Sequence, residues 1–585
     1  MKLYSFAVAA TLLSVSLSLW FFTAGSMGIS QPLPDAFFFS TSLPAFYWLG
    51  LASTLALFGV RGFVTERVRT VFDVMALTLF SLYLFGLPSM VYQDPRILDS
   101  YQHEGNALAL LGTRGWFNGP IWYVFQFPGA YTFFAQLTAI PGADPFQLMK
   151  FYPTGLAIVL ILMLYALAKS YSPNYAGVSA AFIMSGLWFQ LHLSPQSLEL
   201  ILYLGILFLL MKTIKDAPKR ELWEIISLLV IPILVLSHPE TPLVLLLGVF
   251  AFFVLKPLVN FSGWESIRSS LRLTGPFFVM LALVTLAWWS GIASQALAQV
   301  QSIINGALTA GVPGLSRGAP NIPLTPAPSY QLATLFQEGI SASVWLLGLA
   351  VMLFVRRFND WEYMLSGMFL AAVSTIPIAL FANADVLQRS YLFALIPAGL
   401  LFASLLERRD VMRVRAVSLT RPIALAVVLF MIVFAFSLPL ARYAGDSFDY
   451  LPQSSLSTSN VAASLTSDNS ILFPHPGWYG WRIYTPYYGY YGGLLLEQNN
   501  ISSRAGGFVK VNTYSEFNLT FSTADGTAHY LLMSDYFNNL YTMRFGSNST
   551  FFINSRAHFE AQAATRFNLI FSSGTDRLYE NRVLG

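Results

Sequence analysis

About thirteen apolar runs of roughly 15–22 residues follow one another along this chain, each near the length a helix needs to cross a bilayer. They lie at 3–24, 43–60, 71–92, 150–168, 175–191, 197–211, 223–237, 242–256, 274–290, 341–355, 361–382, 390–406 and 422–441. A chain written this way can bury its backbone polar groups in lipid only as a helical bundle. Composition agrees. Of 585 residues, 55% are hydrophobic and 11% charged, against about 25% charged in a soluble domain. The least regular pair is 223–237 and 242–256, split by His238-Pro239-Glu240-Thr241-Pro242. Its members are read either as a hairpin or as a re-entrant element buried in protein.

Positive charge falls on alternate connections. One side holds Lys2, Arg61, Arg67, Arg69, Lys169, Lys212, Lys215, Lys219, Arg220, Lys256, Arg268, Arg272, Arg356, Arg357, Arg408, Arg409, Arg413, Arg415 and Arg421. The positive-inside rule makes that side cytoplasmic, with the N-terminus inside and everything after about residue 442 outside. The first run offers Thr23-Ala24-Gly25-Ser26 as a cleavage site, yet its length favours an uncleaved first span. The net charge of +4 and the lack of any lysine-rich tract exclude nucleic-acid binding. The absence of cysteine excludes disulfides, thiolate metal sites and cysteine nucleophiles.

The fold class that follows is mainly α. It is a polytopic transmembrane helical bundle over 1–441, with outer loops at 93–149 and 291–340 and a C-terminal extracytoplasmic α+β domain over 442–585. The first loop is amphipathic and rich in Trp and Tyr, including Trp116, Trp122, Tyr123 and Tyr131. Helices lying along the outer interface are expected there. The second loop begins as a polar helix and becomes Pro/Gly-rich from Pro313 to Pro328, which reads as a mobile connection. In the C-terminal domain, 470–473, 529–533 and 568–571 read as short strands, and 487–498 and 535–545 as helical pieces. Sequons stand at Asn500, Asn518 and Asn548, with another at Asn260 on the inside.

Four polar stretches interrupt this apolar text. Asp94-Pro95-Arg96-Ile97-Leu98-Asp99-Ser100-Tyr101-Gln102-His103-Glu104 gathers acids and a histidine just after the third run. On a helix, Asp99 and His103 share a face at i, i+4. A carboxylate there suits a general base or a ligand for a divalent cation beside a phosphate, while the plain alternative is a solvated loop. His192-Leu193-Ser194-Pro195-Gln196, followed by Glu199, forms an outside turn in which Ser194 and Pro195 also read as helix punctuation. In Ser237-His238-Pro239-Glu240-Thr241-Pro242, a His and a Glu at membrane depth need a polar cavity or each other; the alternative is a tight turn reaching the headgroups. Arg389, in Asn383-Ala384-Asp385-Val386-Leu387-Gln388-Arg389, runs against the inside bias. It suits bidentate phosphate recognition or a bridge to Asp385. No P-loop, G-x-S-x-G, H-E-x-x-H or G-x-G-x-x-G precedes a helix, and histidine-rich metal spacing is missing. No residue is assigned as a metal ligand, and a divalent cation stays open as a cofactor.

The order and side of these stretches resemble the GT-C superfamily of membrane glycosyltransferases. The resemblance runs through Asp99-Ser100-Tyr101-Gln102-His103, Gly115-Trp116 and Gln126-Phe127-Pro128-Gly129 in the first loop. It continues through the turn His192-Leu193-Ser194-Pro195-Gln196, and through Gln388-Arg389-Ser390-Tyr391 with Pro397. The texture is closest to arabinosyl- and mannosyltransferase-like members from prokaryotes. It departs from the oligosaccharyltransferase branch, because no Trp-Trp-Asp-Tyr-Gly is present; the nearest run is Tyr487-Tyr488-Gly489-Tyr490-Tyr491-Gly492-Gly493. The resemblance implies a sugar donor on a polyprenyl phosphate and a glycan, lipid or protein acceptor. It implies Asp99 as the base, with Glu104 or Asp94 as substitutes, and Arg389 against the leaving phosphate. It also implies a cavity lined by His103, His192, Gln196, His238 and Glu240. The competing readings are a transporter or flippase of a lipid-linked glycan, and a membrane anchor displaying the outer domain. Convergence of Asp99, the 192–196 turn and Arg389 in one outer cavity separates the first reading from the anchor.

Overall fold

The computed structural model describes residues 2–29, 33, 35–60, 66–112, 122–189, 191–260, 263–309, 326–354, 358–376, 384–408, 413–414, 417–418, 420–445, 450–465, 471–473, 529–534, 542–543, 561, 565, 567–574 and 576–581. The helices are α1 (Lys2–Ser26), α2 (Phe38–Ser42), α3 (Ala45–Val60), α4 (Glu66–Ser81), α5 (Leu87–Val91), α6 (Leu98–Gly112), α7 (Trp122–Gln126), α8 (Pro128–Thr138), α9 (Pro145–Lys169) and α10 (Ala176–Gly186). They continue as α11 (Pro195–Lys215), α12 (Arg220–Ser237), α13 (Glu240–Asn260), α14 (Gly263–Gly291), α15 (Ser294–Thr309), α16 (Pro328–Phe354), α17 (Asp360–Ser374), α18 (Ala384–Glu407), α19 (Thr420–Arg442) and α20 (Gln453–Leu465).

Each of the thirteen apolar runs contains helix, though the run 175–191 leaves its helix at Gly186, the run 71–92 is interrupted by a π turn, and 377–382 of the run 361–382 lie outside the described residues. Among the described residues, nine helical segments are long and apolar enough to cross a membrane. The other four are α3, α10 and α17, which are shorter, and α12, whose first turns carry Arg220, Glu221 and Glu224. The outward face of α12 is nevertheless a stripe of exposed Leu222, Ile225, Leu229 and Ile233, the surface a helix offers to lipid. Leu283 and Leu286 on α14 and Leu425 and Leu429 on α19 repeat the pattern. The chain is a multi-pass membrane protein.

The helices contact one another through small residues, as expected where no hydrophobic drive separates protein from lipid. A side chain at Gly367 on α17 would come 2.7 Å from the Gly248 carbonyl oxygen of α13, and one at Gly50 on α3 would overlap the Tyr83 hydroxyl. Between α4 and α5 the helix widens into a π turn at Leu82–Gly86. Its carbonyls take donors from elsewhere: Trp20 Nε1 to Leu82 (3.2 Å), Tyr47 Oη to Tyr83 (3.0 Å) and Tyr443 Oη to Leu84 (2.6 Å). An irregular turn inside the bilayer is tolerated on this condition.

Alternating helix direction gives the bundle two polar ends. At one end Lys256 pairs with Asp360 at 2.8 Å, Arg408 pairs with Glu362, and Glu407 accepts from Ser172 and from the Asn174 backbone, each at 3.1 Å. At the other end sit α6, α7 and α8, so the described part of the first loop is helical, as expected. The second loop opens with α15, as expected, and α16 begins at Pro328, earlier than the apolar run it contains. Its first turns are amphipathic, so hydropathy alone does not see them.

The C-terminal part contains β3 (Ile471–Phe473), β4 (His529–Ser534), β5 (Phe567–Ser573) and β6 (Asp576–Asn581), after a two-stranded ladder of β1 (Arg413–Val414) and β2 (Val417–Ser418). The sheet order is β3-β4-β6-β5, with β3 parallel to β4 and the other pairs antiparallel. The three expected strand segments fall on β3, β4 and β5. The expected helical pieces lie outside the described residues apart from 542–543, as do the sequons at Asn500, Asn518 and Asn548 and the Tyr487–Gly493 run. Helix α20 packs on this sheet, and Ser455 Oγ donates to Asp576 Oδ2 at 2.6 Å. Leu451, Leu456 and Leu578 join Tyr101, Ala107 and Phe134 in one buried cluster. The described C-terminal elements are therefore packed onto the first-loop helices, close above the site.

Candidate functional site

Helix α6 opens with Asp99 in its first turn, and His103 follows one turn later. His103 Nε2 lies 3.1 Å from Asp99 Oδ2. The same oxygen lies 3.1 Å from His192 Nε2, ninety-three residues further along the chain. What brings His192 there is a break in regular structure. Helix α10 stops at Gly186, and α11 restarts at Pro195 behind a capping box formed by Ser194 and Ser197. The orphan carbonyls of the break are satisfied: Tyr391 Oη donates to Gly186 at 2.6 Å, and Arg442 donates to Trp188 and Leu191 at 3.3 and 3.0 Å. Non-helical backbone at this depth needs such partners.

Asp99 keeps 46% of its side chain exposed, whereas His103 and His192 keep 13% and 10%. The carboxylate thus opens on reachable space, and the imidazoles back it. Burial alone would raise the Asp99 pKa, but the His103 charge and the hydrogen bonds from both histidines outweigh it and hold the carboxyl well below its usual range. Burial lowers His192, partly offset by Asp99. An ionised Asp99 draws an Nε2–H from each imidazole, and in the neutral form of either ring that leaves Nδ1 as the basic nitrogen. His103 Nδ1 lies 3.0 Å from the Tyr131 hydroxyl of α8, which donates to it in that arrangement. Asp99, His103 and His192 each offer one ligand atom, and the three lie within 4.8 Å of one another. Two imidazoles and a carboxylate with an open side form a donor set that suits a divalent cation such as zinc.

A second polar group lies beyond Tyr131. His238 Nδ1 sits 2.8 Å from Glu199 Oε2, both side chains almost wholly buried. Arg389 in the opening turns of α18 forms an ion pair with Glu240 at the start of α13. Burial pushes the His238 pKa well down, and the charge of Arg389 adds to the effect. The two groups are neighbours. Tyr123, whose hydroxyl burial pushes well up, feels Tyr131, Arg389, Glu240 and Glu199, and its ring meets that of Tyr131 edge-on at 6.2 Å. Along α11, Gln196 and Tyr203 bury an amide and a hydroxyl that find no partner among the described residues.

The structure therefore brings Asp99, His103, His192, His238, Glu240 and Arg389 to one end of the bundle, with Gln196 on the adjoining helix. Glu104 turns to the seam between α6 and α8, where Thr138 Oγ1 donates to it at 2.6 Å. Burial raises its pKa to about 7, with the Thr138 bond opposing the shift. Asp94 accepts from Tyr450 at 3.3 Å, and burial raises it too. Arg389 pairs with Glu240; the alternative bridge to Asp385 involves a side chain outside the described residues. Sequence reading passed over Glu199, Tyr123 and Tyr131 as site members. An acid within an apolar span is itself a signal, and Glu199 carried it.

No family model matches the sequence, and no curated protein matches it. Solved structures are similar in fold. The archaeal oligosaccharyltransferase AglB from Archaeoglobus fulgidus, in complex with an inhibitory peptide and a dolichol-phosphate, superposes with TM-score 0.53 at 12% identity, over 82% of this chain and 71% of that one. The Archaeoglobus fulgidus oligosaccharyltransferase tethered to an acceptor peptide gives 0.51 at 13% identity over the same shares. ArnT from Cupriavidus metallidurans bound to undecaprenyl phosphate gives 0.47 at 11%, over 89% of this chain and 99% of that one.

Proposed function

We propose, from the premise that this chain has the GT-C membrane-glycosyltransferase fold, that it moves a sugar from a polyprenyl-phosphate carrier to an acceptor at the extracytoplasmic face. The N-terminus is then cytoplasmic and the segment after residue 442 lies outside. One observation carries the reading. Asp99, His192 and the Glu240–Arg389 pair come from segments far apart in sequence, and they meet at the end of the bundle opposite Lys256, Arg408 and Lys169. Three scattered sites would have favoured a passive anchor.

In the reaction the bond between the sugar's anomeric carbon and the carrier phosphate breaks, and a bond to the acceptor hydroxyl forms. The bonding pair leaves on the phosphate oxygen. A carboxylate held as low as Asp99 is a weak base alone, so the proton is taken by the imidazole of His192, at the nitrogen turned away from Asp99. Asp99 orients the ring and stabilises the imidazolium that forms. Arg389, held by Glu240, supplies positive charge to the departing phosphate. Were Asp99, His103 and His192 to hold a divalent cation, it would supply positive charge for the phosphate and would replace His192's role as base, since a neutral imidazole that ligates through one nitrogen carries its proton on the other. Gln196 and Tyr203 supply hydrogen bonds to sugar hydroxyls, which would satisfy their buried groups.

The test is transfer of radiolabelled sugar from polyprenyl-phosphate donors in proteoliposomes. The reading expects transfer by the native chain and its loss in Asp99→Asn. A native chain inactive with every polyprenyl-phosphate sugar, or full activity in Asp99→Asn, would sink it.

A further inference from the structure

His192 reaches Asp99 from a stretch with no regular structure of its own, the break between Gly186 and Pro195. A side chain carried on such a stretch is placed only as well as its backbone is held. One side of His192 is fixed locally, by the Ser194–Ser197 capping box. The other side is fixed from a distance. Arg442, the last residue of α19, is buried, and its guanidinium spreads over two carbonyls of the break. Nη1 donates to Trp188 at 3.3 Å and Nη2 to Leu191 at 3.0 Å. Leu191 directly precedes His192 and Leu193 directly follows it, and both leucines are wholly buried. Two donors on one planar head hold the backbone at two points.

The same residue is tied to the Asp99 side. Its backbone carbonyl accepts from Arg96 Nη2 at 3.2 Å, and Arg96 stands three residues before Asp99. Arg442 is therefore bonded to both segments that meet at the Asp99–His192 contact. It is itself held in place. Its guanidinium lies 5.1 Å from the centre of the Phe85 ring in the π turn. Tyr443, the next residue, donates to the Leu84 carbonyl of that turn at 2.6 Å, and its ring centre lies 4.4 Å from that of Phe39. An arginine buried at the end of a span costs free energy, so its position calls for a reason. We infer that Arg442 is the positioning residue of the site: by holding the Trp188 and Leu191 carbonyls it keeps His192 against Asp99 in the geometry that proton removal requires. This rests on the proposed transferase reading and adds to it a residue that acts through His192.

The test reads geometry and transfer separately, on the full chain in nanodiscs. Geometry is read in the Asp99→Cys/His192→Cys background, as the rate of cross-linking by a short, rigid bifunctional thiol reagent. These replacements leave the backbone carbonyls that Arg442 holds. Transfer is read in the native background, as kcat and KM with a polyprenyl-phosphate sugar. Arg442→Met keeps the apolar stem and removes the donors. It should slow cross-linking at least about tenfold and lower kcat about a hundredfold, the scale of a misplaced catalytic group, with KM little changed. Arg442→Lys keeps a charge and donors at similar reach and should recover most of both losses. Tyr443→Phe removes the bond to Leu84 and keeps the ring, so it should lower the unfolding midpoint and leave cross-linking and kcat near native. If Arg442→Met does not fold, Arg442→Gln, with a shorter arm, is read in its place. Native-like cross-linking in a folded Arg442→Met overturns the inference, and so does slowed cross-linking with native kcat. A folded Arg442→Lys as slow as Arg442→Met overturns it too, as does a Tyr443→Phe that slows cross-linking equally, which would make the effect one of general bracing. A native chain that transfers no sugar sinks the transferase reading alone, because the cross-link needs no substrate.

Discussion

The two polar ends of the bundle use the same residue types and finish them differently. At the end carrying Lys256 and Arg408, the polar groups close on each other. Asn359 and Glu362 cap α17 reciprocally at 2.9 and 2.8 Å, and Glu362 also accepts from Ser404 at 2.8 Å and pairs with Arg408. At the end carrying Asp99, the carboxylate is half exposed between two imidazoles, and Gln196 and Tyr203 bury polar atoms that nothing described satisfies. At the first end the buried acid is closed by a cap and an ion pair and so serves stability, although Trp361 Nε1 beside it has no partner among the described residues. An end with orphan groups costs stability and is explained by something that completes it.

Breaking each end should therefore give different losses. The largest is expected for Asp99→Asn. It should lower sugar transfer by at least about a hundredfold, the scale of losing an oriented acid–base unit, with insertion and thermal stability near native. Glu362→Leu should do the opposite. It strands Arg408 and removes a cap, which costs roughly 3 kcal/mol as a buried pair is broken, read as a lower unfolding midpoint with transfer per folded molecule unchanged. Gln196→Leu should sharpen the contrast. Removing an unsatisfied buried amide should stabilise the fold by about 1 kcal/mol, while transfer falls about tenfold.

The smallest effect is graded and comes from pH. Burial lowers the His192 pKa, so the ring is neutral at pH 7 and charges below the ordinary histidine value of about 6.5. Transfer should hold at neutral pH and fall as pH drops below that range. Stability follows the same sign. Unfolded His192 takes its proton at about pH 6.5 while the folded ring resists, so that contribution starts to fade there. Asp99, held low, contributes stability that is present above about pH 3.9 and is lost as pH falls through its folded value. Transfer that stays constant on acidification until the protein unfolds would remove His192 from the proton path.

Most of the bundle was legible because lipid imposes one pattern, apolar for a span's length, that the eye can count. The α11 start was legible as well, since Ser194 and Pro195 are capping chemistry written locally. The π turn at Leu82–Gly86 was not. Nothing in Leu82-Tyr83-Leu84-Phe85-Gly86 marks it, and its stability comes from Trp20, Tyr47 and Tyr443, three residues distant in sequence. The same reason hid the working pairings. His103 at i+4 from Asp99 could be read from helix periodicity, but His192 joins them only through tertiary packing, and Glu240 reaches Arg389 for the same cause. Arg442 gave a hint that was passed over, a cation at the end of a span where the charge bias predicts none.

The central claim is that the 94–104 and 192–196 segments meet on the extracytoplasmic side. The chain's lack of cysteine makes this directly measurable. Asp99→Cys/His192→Cys is expressed in intact cells and treated with a short, charged, membrane-impermeant bifunctional thiol reagent, and the cross-link is read by proteolysis between the two positions. The account predicts an efficient cross-link in intact cells and none in either single variant. A cross-link forming only after the membrane is opened, or not at all in a folded protein, would contradict it.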